Sequence, residues 1–163
     1  MNNNGFWKEG ETVFYPQVGL GTIEGRNEES YIISFIEENS KIFVPFENID
    51  ALKIRPLMKK EEIEDLFLFF EKGSMKIERD WKKRYKFHNE LFLEGSPKAL
   101  GLIVKNLLFI EKKKGLTKNE RKFFEKVFTL LSLEISKVLK KGVDEVKTEI
   151  KERVFKGFEE LSN

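Results

Sequence analysis

The sequence has no cysteine and a single histidine, His88, among its 163 residues. The first absence removes disulfide frameworks and thiolate metal sites, and the second leaves no histidine pair to hold a metal. Charge of one sign does not dominate either. The formal net of +2 is close to balance, so the total by itself points to no polyanionic or polycationic partner. Long apolar runs are missing. The most apolar stretch, LGLIVKNLLFI at 100–110, contains Lys105 and is too short to span a bilayer. The opening MNNNGFWKEG lacks the basic start and apolar run of a secretory signal, and the expected location is the cytoplasm. What abounds is phenylalanine, at 16 residues, and charge, at 36%. Most of those rings must be interior. The near-neutral total also hides a division: residues 1–56 carry five Lys/Arg against nine Asp/Glu, net −4, and the remainder is net +6. Two surfaces of opposite sign suggest two partners.

The two halves differ in periodicity as well. In residues 1–56, ETVFYP, GTIEG, SYIISFI and KIFVPF are short runs of β-branched and aromatic residues separated by turn-forming clusters such as ENS at 38–40. Gly19 and Gly21 flank the second run, where glycine permits backbone angles closed to other residues. Pro45 closes the fourth, since proline donates nothing to a ladder. Four or five short strands in about fifty residues predict a small, bent barrel of SH3 or Tudor type.

From residue 59 the period is helical. KKEEIEDLFLFFEK puts Ile63, Leu66, Phe67 and Phe70 on one face, with Gly73 as its stop. A second helix is predicted from near Asp80 to Gly95, and a third from the Ser96-Pro97 cap to Gly115. Thr117-x-x-Glu120 reads as a capping box for a long fourth helix with Phe124, Val127, Leu131, Ile135 and Val138 in one stripe and Gly142 as its end. A last helix, about 144–160, aligns Val146, Ile150, Val154 and Phe158. The fold class is therefore α+β, with a β-barrel over 1–56 followed by an all-α bundle of about five helices over 57–163.

Residues for chemistry are scarce. Nucleophilic catalysis needs a nucleophile, a base and an orienting group in reach, and His88 stands alone on a predicted helix. The carboxylates of EEIED and FEE alternate with lysines at helical spacing, the pattern of a solvated face. Gly19-Leu20-Gly21 lies between strands and is too short to cradle phosphate. No catalytic residue, metal ligand or cofactor is expected, and no small-molecule substrate.

One stretch resists the plain reading. RDWKKRYKFH at 79–88 sets Trp81 among Arg79, Lys82, Lys83, Arg84 and Lys86. A buried tryptophan removes ~150–250 Å² from water, about 4–6 kcal/mol at most, so core burial is the ordinary expectation. Trp81 would indeed share a face with Tyr85, His88 and Phe92. However, it falls in the first turn, where side chains lean toward the preceding loop. The cations cover most of that circumference, and apolar density arrives later, with Phe87, Leu91, Phe92 and Leu93. A ringed aromatic of this kind suits nucleic acid: the cations hold phosphates and the indole enters an opened base step.

Several motifs occur in an order that resembles the bacterial CarD/CdnL family of transcription regulators. They are GETVFYPQVGLGTIEG and FVPFENID in the front half. The back half has Trp81-Lys82-Lys83-Arg84-Tyr85 as W-x-x-R-Y, the helix break at Ser96, and GLTKNE at 115–120. The resemblance spans almost the whole chain. It implies a Tudor-like domain that docks on the RNA polymerase β subunit. It also implies a helical domain that meets promoter DNA in the minor groove at the upstream fork, where Trp81 wedges and stabilises the open complex. Arg84, Lys82, Lys83, Lys86 and Arg79 are the accompanying phosphate candidates. Many relatives carry an arginine two positions before the proline of V-P-x-E-N. Here that residue is Phe43, so Phe43, Lys41 and Arg26, expected together on one edge, are the candidates for the polymerase contact. The expected state is a monomer, nucleoid-associated through polymerase. Two rival readings are a protein–protein adaptor with no DNA contact and a general duplex binder without polymerase.

Overall fold

The computed structural model describes residues 6–36, 38–72 and 77–162, without the side chains of the last three. The N-terminal pentapeptide and Gly73 lie outside the described residues. The chain divides into two compact units, Met1–Leu57 and Met58–Asn163.

The first unit is a five-stranded antiparallel sheet: β1 Thr12–Tyr15, β2 Gly19–Arg26, β3 Ser30–Phe35, β4 Ser40–Pro45 and β5 Arg55–Pro56, in the order β4-β3-β2-β1-β5. Strand alternation drives the inward residues Val13, Ile23, Tyr31, Ile33, Phe35 and Val44 into one core with Trp7, Ile49 and Ile54. The Trp7 amide donates to the Tyr31 hydroxyl at 2.9 Å, which ties the segment before β1 to the sheet. The β2–β3 connection is an Asx turn in which Asn27 Oδ1 accepts from the amides of Glu29 and Ser30. The two glycines of β2 serve different needs. Gly19 adopts φ +123°, whereas Gly21 supplies space: a Cβ there would stand 2.7 Å from Ile33 and Phe35 side chains. A bulge between Ile23 and Gly25 shifts the register, so that Gly25 opposes Ile32 and Arg26 opposes Tyr31.

The second unit holds five helices: α1 Lys60–Glu71, α2 Trp81–Glu94, α3 Pro97–Lys114, α4 Lys118–Leu139 and α5 Val143–Ser162. Their apolar stripes are buried as the periodicity requires: Ile63, Leu66, Phe67 and Phe70 on α1; Phe124, Val127, Leu131 and Ile135 on α4; Val146, Ile150, Val154 and Phe158 on α5. Val138, the last member of the α4 stripe, is half-buried. Most caps follow their local signals. Asp80 accepts from the Lys82 and Lys83 amides, Ser96 from Ala99, and Thr117 from Glu120. Gly95 closes α2 at φ +70°. The end of α4 departs from expectation: it turns at Lys140, at φ +56°, two residues before Gly142.

Two glycines fix how the helices approach. A Cβ on Gly101 would meet Leu66 Cδ1 at 2.5 Å, and one on Gly157 would meet the Glu71 carbonyl oxygen at 2.6 Å. So α5 lies against the C-terminal backbone of α1. Lys105 finishes that end, its buried ammonium donating to the carbonyls of Phe69 and Lys72 at 2.9 and 2.6 Å. Burial lowers its pKa.

Candidate nucleic-acid interface

α2 presents the residues singled out at 79–88. Its interior-facing positions recur at i, i+4, i+8, and they are Arg84, His88 and Phe92. Trp81 is one step earlier on that face, in the first turn and beyond the reach of the core, and it is 52% exposed. Lys82 Nζ lies 5.8 Å from the centre of the indole. Arg79, Lys82, Lys83 and Lys86 are all exposed around it. Tyr85, one turn on, is also exposed, and its ring lies tilted at 60° to that of Phe123 of α4, with 5.8 Å between centroids. The helix amides at this end are occupied by Asp80. An anion arriving here therefore meets ammonium and guanidinium heads rather than free backbone N–H groups.

Arg84 is not among those heads. Only 3% exposed, it donates from Nε and Nη2 to the two oxygens of Glu120, each at 2.8 Å, and from Nη1 to the Glu78 carbonyl at 3.1 Å. The reason is geometric. Arg84 follows Trp81 by three residues, which turns it into the α2–α4 seam, and a guanidinium there needs a bidentate carboxylate. This corrects the reading of Arg84 as a phosphate contact. The hydrogen bond with Glu120 raises its already high pKa against the opposing effect of burial. The same pairing alters the expected capping box. Thr117 Oγ1 does accept from the Glu120 amide, while the Glu120 carboxylate is spent on Arg84.

Beneath the arginine, His88 is fully buried and accepts from Asn106 Nδ2 at 3.1 Å. Desolvation pushes its pKa down to about 4, with Arg84 adding to the depression and Glu120 opposing it. It is a neutral packing residue. The apolar density expected further along α2 is thinner than its composition implied: Phe92 is buried and Leu91 half-buried, but Phe87 and Leu93 face solvent. The surface beside Trp81 and Tyr85 is instead completed by α4. Phe123 packs on Tyr85 and Phe92, and Lys126 Nζ stands 5.1 Å from the Phe92 ring. The partners in these contacts lie more than thirty residues apart in sequence. The only local hint was an aromatic, Phe123, three residues past the capping position Glu120.

On the sheet, Lys41 opposes Ser34 and Phe43 opposes Ile32. Both pairs point away from the core, on the edge strand β4, and Phe43 is 62% exposed. Arg26 does not join them. The β2 bulge pairs it with Tyr31, a core position, and at the strand end its guanidinium stacks 4.0 Å from the Phe6 ring centre. The expectation that Arg26 shares an edge with Lys41 and Phe43 is thereby corrected. Among the described residues no cluster of three or more His, Cys, Asp or Glu side chains is arranged to hold a metal, and no helix is long and apolar enough to cross a membrane.

Comparison with known proteins matches both units. Residues 7–58 match the CarD-like/TRCF RID domain, and residues 65–151 match the CarD C-terminal domain. A protein of Bacillus subtilis (strain 168) named "Putative transcription factor YdeB" is 25% identical over 144 residues, covering 83% of this chain and 93% of that one. With two family domains matched in order, the second across more than half of the sequence, the chain belongs to the CarD family of transcription regulators.

Proposed function

We propose that this protein binds the RNA polymerase β subunit through its sheet and stabilises the open promoter complex through Trp81. The edge strand β4 offers unpaired backbone groups for strand addition, with Phe43 and Lys41 as the outward side chains a partner would read. Tethering raises the effective concentration of the helical unit at the promoter, so weak intrinsic DNA affinity suffices. There the indole enters the minor groove at the upstream fork, and Arg79, Lys82, Lys83 and Lys86 hold the flanking phosphates. Arg84 has a different part: with Glu120 and the Glu78 carbonyl it fixes the first turn from which Trp81 projects.

The observation that carries this reading is the half-exposed indole at a helix start anchored by a buried ion pair. A ring that enters an unstacked step gains ~1–3 kcal/mol, and opening a closed step costs a few kcal/mol. The ligand therefore favours the state that is already open, which is what shifts the equilibrium. Trp81→Ala is expected to fold normally and bind the isolated β lobe as the parent does, yet to shorten open-complex lifetime on a supercoil-independent promoter. Equal lifetimes for the two proteins would overturn the wedge. An adaptor without DNA contact would show no salt dependence of DNA association. Phosphate contacts by four cations predict a slope of log K on log salt of about −3.6, each contributing about −0.9.

A further inference from the structure

α4 has a second occupied flank. At 100° per residue, the side that meets α2 carries Glu120, Phe123 and Lys126, and the side that carries Arg121, Glu125 and Phe128 faces away from it. On this other side a groove of about 660 Å³ opens among α3, α4 and α5. Its lining is mostly apolar. Phe124 and Phe128 stack at 5.1 Å and 18°, with Phe155 of α5 across from them. Three lysines lean over these rings. Lys147 and Lys151 Nζ lie 5.6 and 5.7 Å from the Phe128 centre, and Lys112 Nζ lies 4.8 Å from that of Phe155.

The charge at the rim is unbalanced. Arg121 and Glu111 neutralise each other at 2.9 Å, an attachment that with the Leu116 amide holds the Glu111 carboxyl below its ordinary pKa. That leaves Glu125 against Lys112, Lys147 and Lys151, none of which forms an ion pair among the described residues. A lysine over an aromatic face with no carboxylate partner leaves an ammonium able to take one.

We propose that this groove docks an acidic peptide segment with one aromatic or branched aliphatic anchor. The concavity falls in the size range of clefts that bind small ligands, ~300–1,000 Å³, which leaves room for one large side chain. The anchor would sit on the Phe128 and Phe155 rings while flanking carboxylates take the three lysines. Nucleic acid fits less well, since phosphates need a continuous track of cations and these converge on one apolar hollow. Because the groove and the start of α2 lie on different flanks of α4, a peptide seated here leaves Trp81 uncovered. The site thus stands independently of the DNA reading.

The test uses the full chain and a labelled synthetic peptide rich in Asp and Glu with one central Phe. Amide shifts in its heteronuclear spectrum are expected to cluster at 108–112, 121–129 and 147–155. Lys147→Glu/Lys151→Glu should weaken binding about tenfold or more. The milder Lys147→Gln/Lys151→Gln and the opposite-rim Lys112→Glu should weaken it in the same direction, and Trp81→Ala should leave it unchanged. A peptide with Ala for Phe should bind about tenfold more weakly. Shifts absent or confined to α2, equal binding of the Phe-less peptide, or stronger groove shifts with oligothymidylate would each overturn the proposal.

Discussion

Replacing Arg84 with methionine tests the seam on which the candidate interface rests. Arg84 and Glu120 are both nearly inaccessible, and the substitution removes two hydrogen bonds of 2.8 Å while leaving a carboxylate in the α2–α4 contact. Charge-assisted bonds of this kind contribute about 1.5–3 kcal/mol each, and removing one partner of a buried pair typically costs about 3–5 kcal/mol. For a unit whose whole stability is of the order of 5–15 kcal/mol, that is a large fraction. With a urea dependence of about 2 kcal/mol per molar, the midpoint of helix loss by far-ultraviolet circular dichroism should fall by about 2 M. Glu120→Leu should do likewise. The double variant Arg84→Met/Glu120→Leu leaves no buried charge and should return to within about 1 kcal/mol of the parent, so the two losses are strongly non-additive. Tryptophan emission serves as an internal control. Trp7 is buried in the sheet unit and Trp81 is already half wet, so the fluorescence transition should report mainly on the sheet. In the double variant the Glu78 carbonyl also loses its donor. Open-complex lifetime is then expected to fall between those of the parent and Trp81→Ala although the helices are folded. A loss below about 1 kcal/mol for Arg84→Met, or a double variant as unstable as either single, would refute the buried-pair account.

Three further perturbations probe a helix contact, the buried histidine and the edge strand. Gly157→Ala would gain about 1 kcal/mol in helix propensity, but its Cβ meets the Glu71 carbonyl oxygen at 2.6 Å, so a net loss of about 1–3 kcal/mol is expected in thermal unfolding; a stabilised protein would contradict the close approach. His88 is held down to about 4 against an unfolded value near 6.5, so the unfolded chain binds the extra proton between them. Stability is therefore complete above about pH 6.5 and lost as pH falls toward 4, by up to about 3 kcal/mol, and His88→Gln should flatten that segment of the urea-midpoint profile. Phe43→Glu, on the exposed face of β4, should leave the sheet folded within about 0.5 kcal/mol and abolish retention on immobilised β lobe; unchanged retention would remove Phe43 from the contact.

What was legible in the sequence was what is decided within a turn or two. The caps at Asp80, Ser96 and Thr117, the stop at Gly95 and the stripes of α1, α4 and α5 all depend on residues three or four apart. Trp81's exposure belongs to the same class, because first-turn geometry and its neighbours are local. What was not legible depends on pairing across the chain. Nothing near Arg84 marks it as buried, since its partner Glu120 is thirty-six residues away. Arg26 was misplaced for a comparable reason. One extra residue at the β2 bulge inverts the alternation, and the bulge shows only once β3 is laid alongside. The end of α4 fell to a third cause. Gly142 is the better left-handed residue, but the turn falls on Lys140, where the amides of Lys140 and Lys141 both donate back to the Ser136 carbonyl.

α2 inverts the usual order of burial, and the two halves of that inversion explain each other. A guanidinium occupies the seam and an indole is left in water. With roughly 100 Å² of ring uncovered, about 2–3 kcal/mol of burial goes unused in the free protein. Trp81 cannot recover it, because one turn too early on the helix its side chain points past the core. Nor can the helix slide to bring it in, because such a shift would pull Arg84 from Glu120 at a cost of about 3–5 kcal/mol. The larger penalty wins, and the ring stays out. Free energy that the fold cannot claim is open to whatever covers the indole from outside. On the proposed reading only a parted base step does so, since a closed duplex must first spend a few kcal/mol to make the slot. On that reading the preference for open over closed DNA rests on the ion pair that keeps α2 from sliding, and its size is bounded by the area the ring leaves exposed.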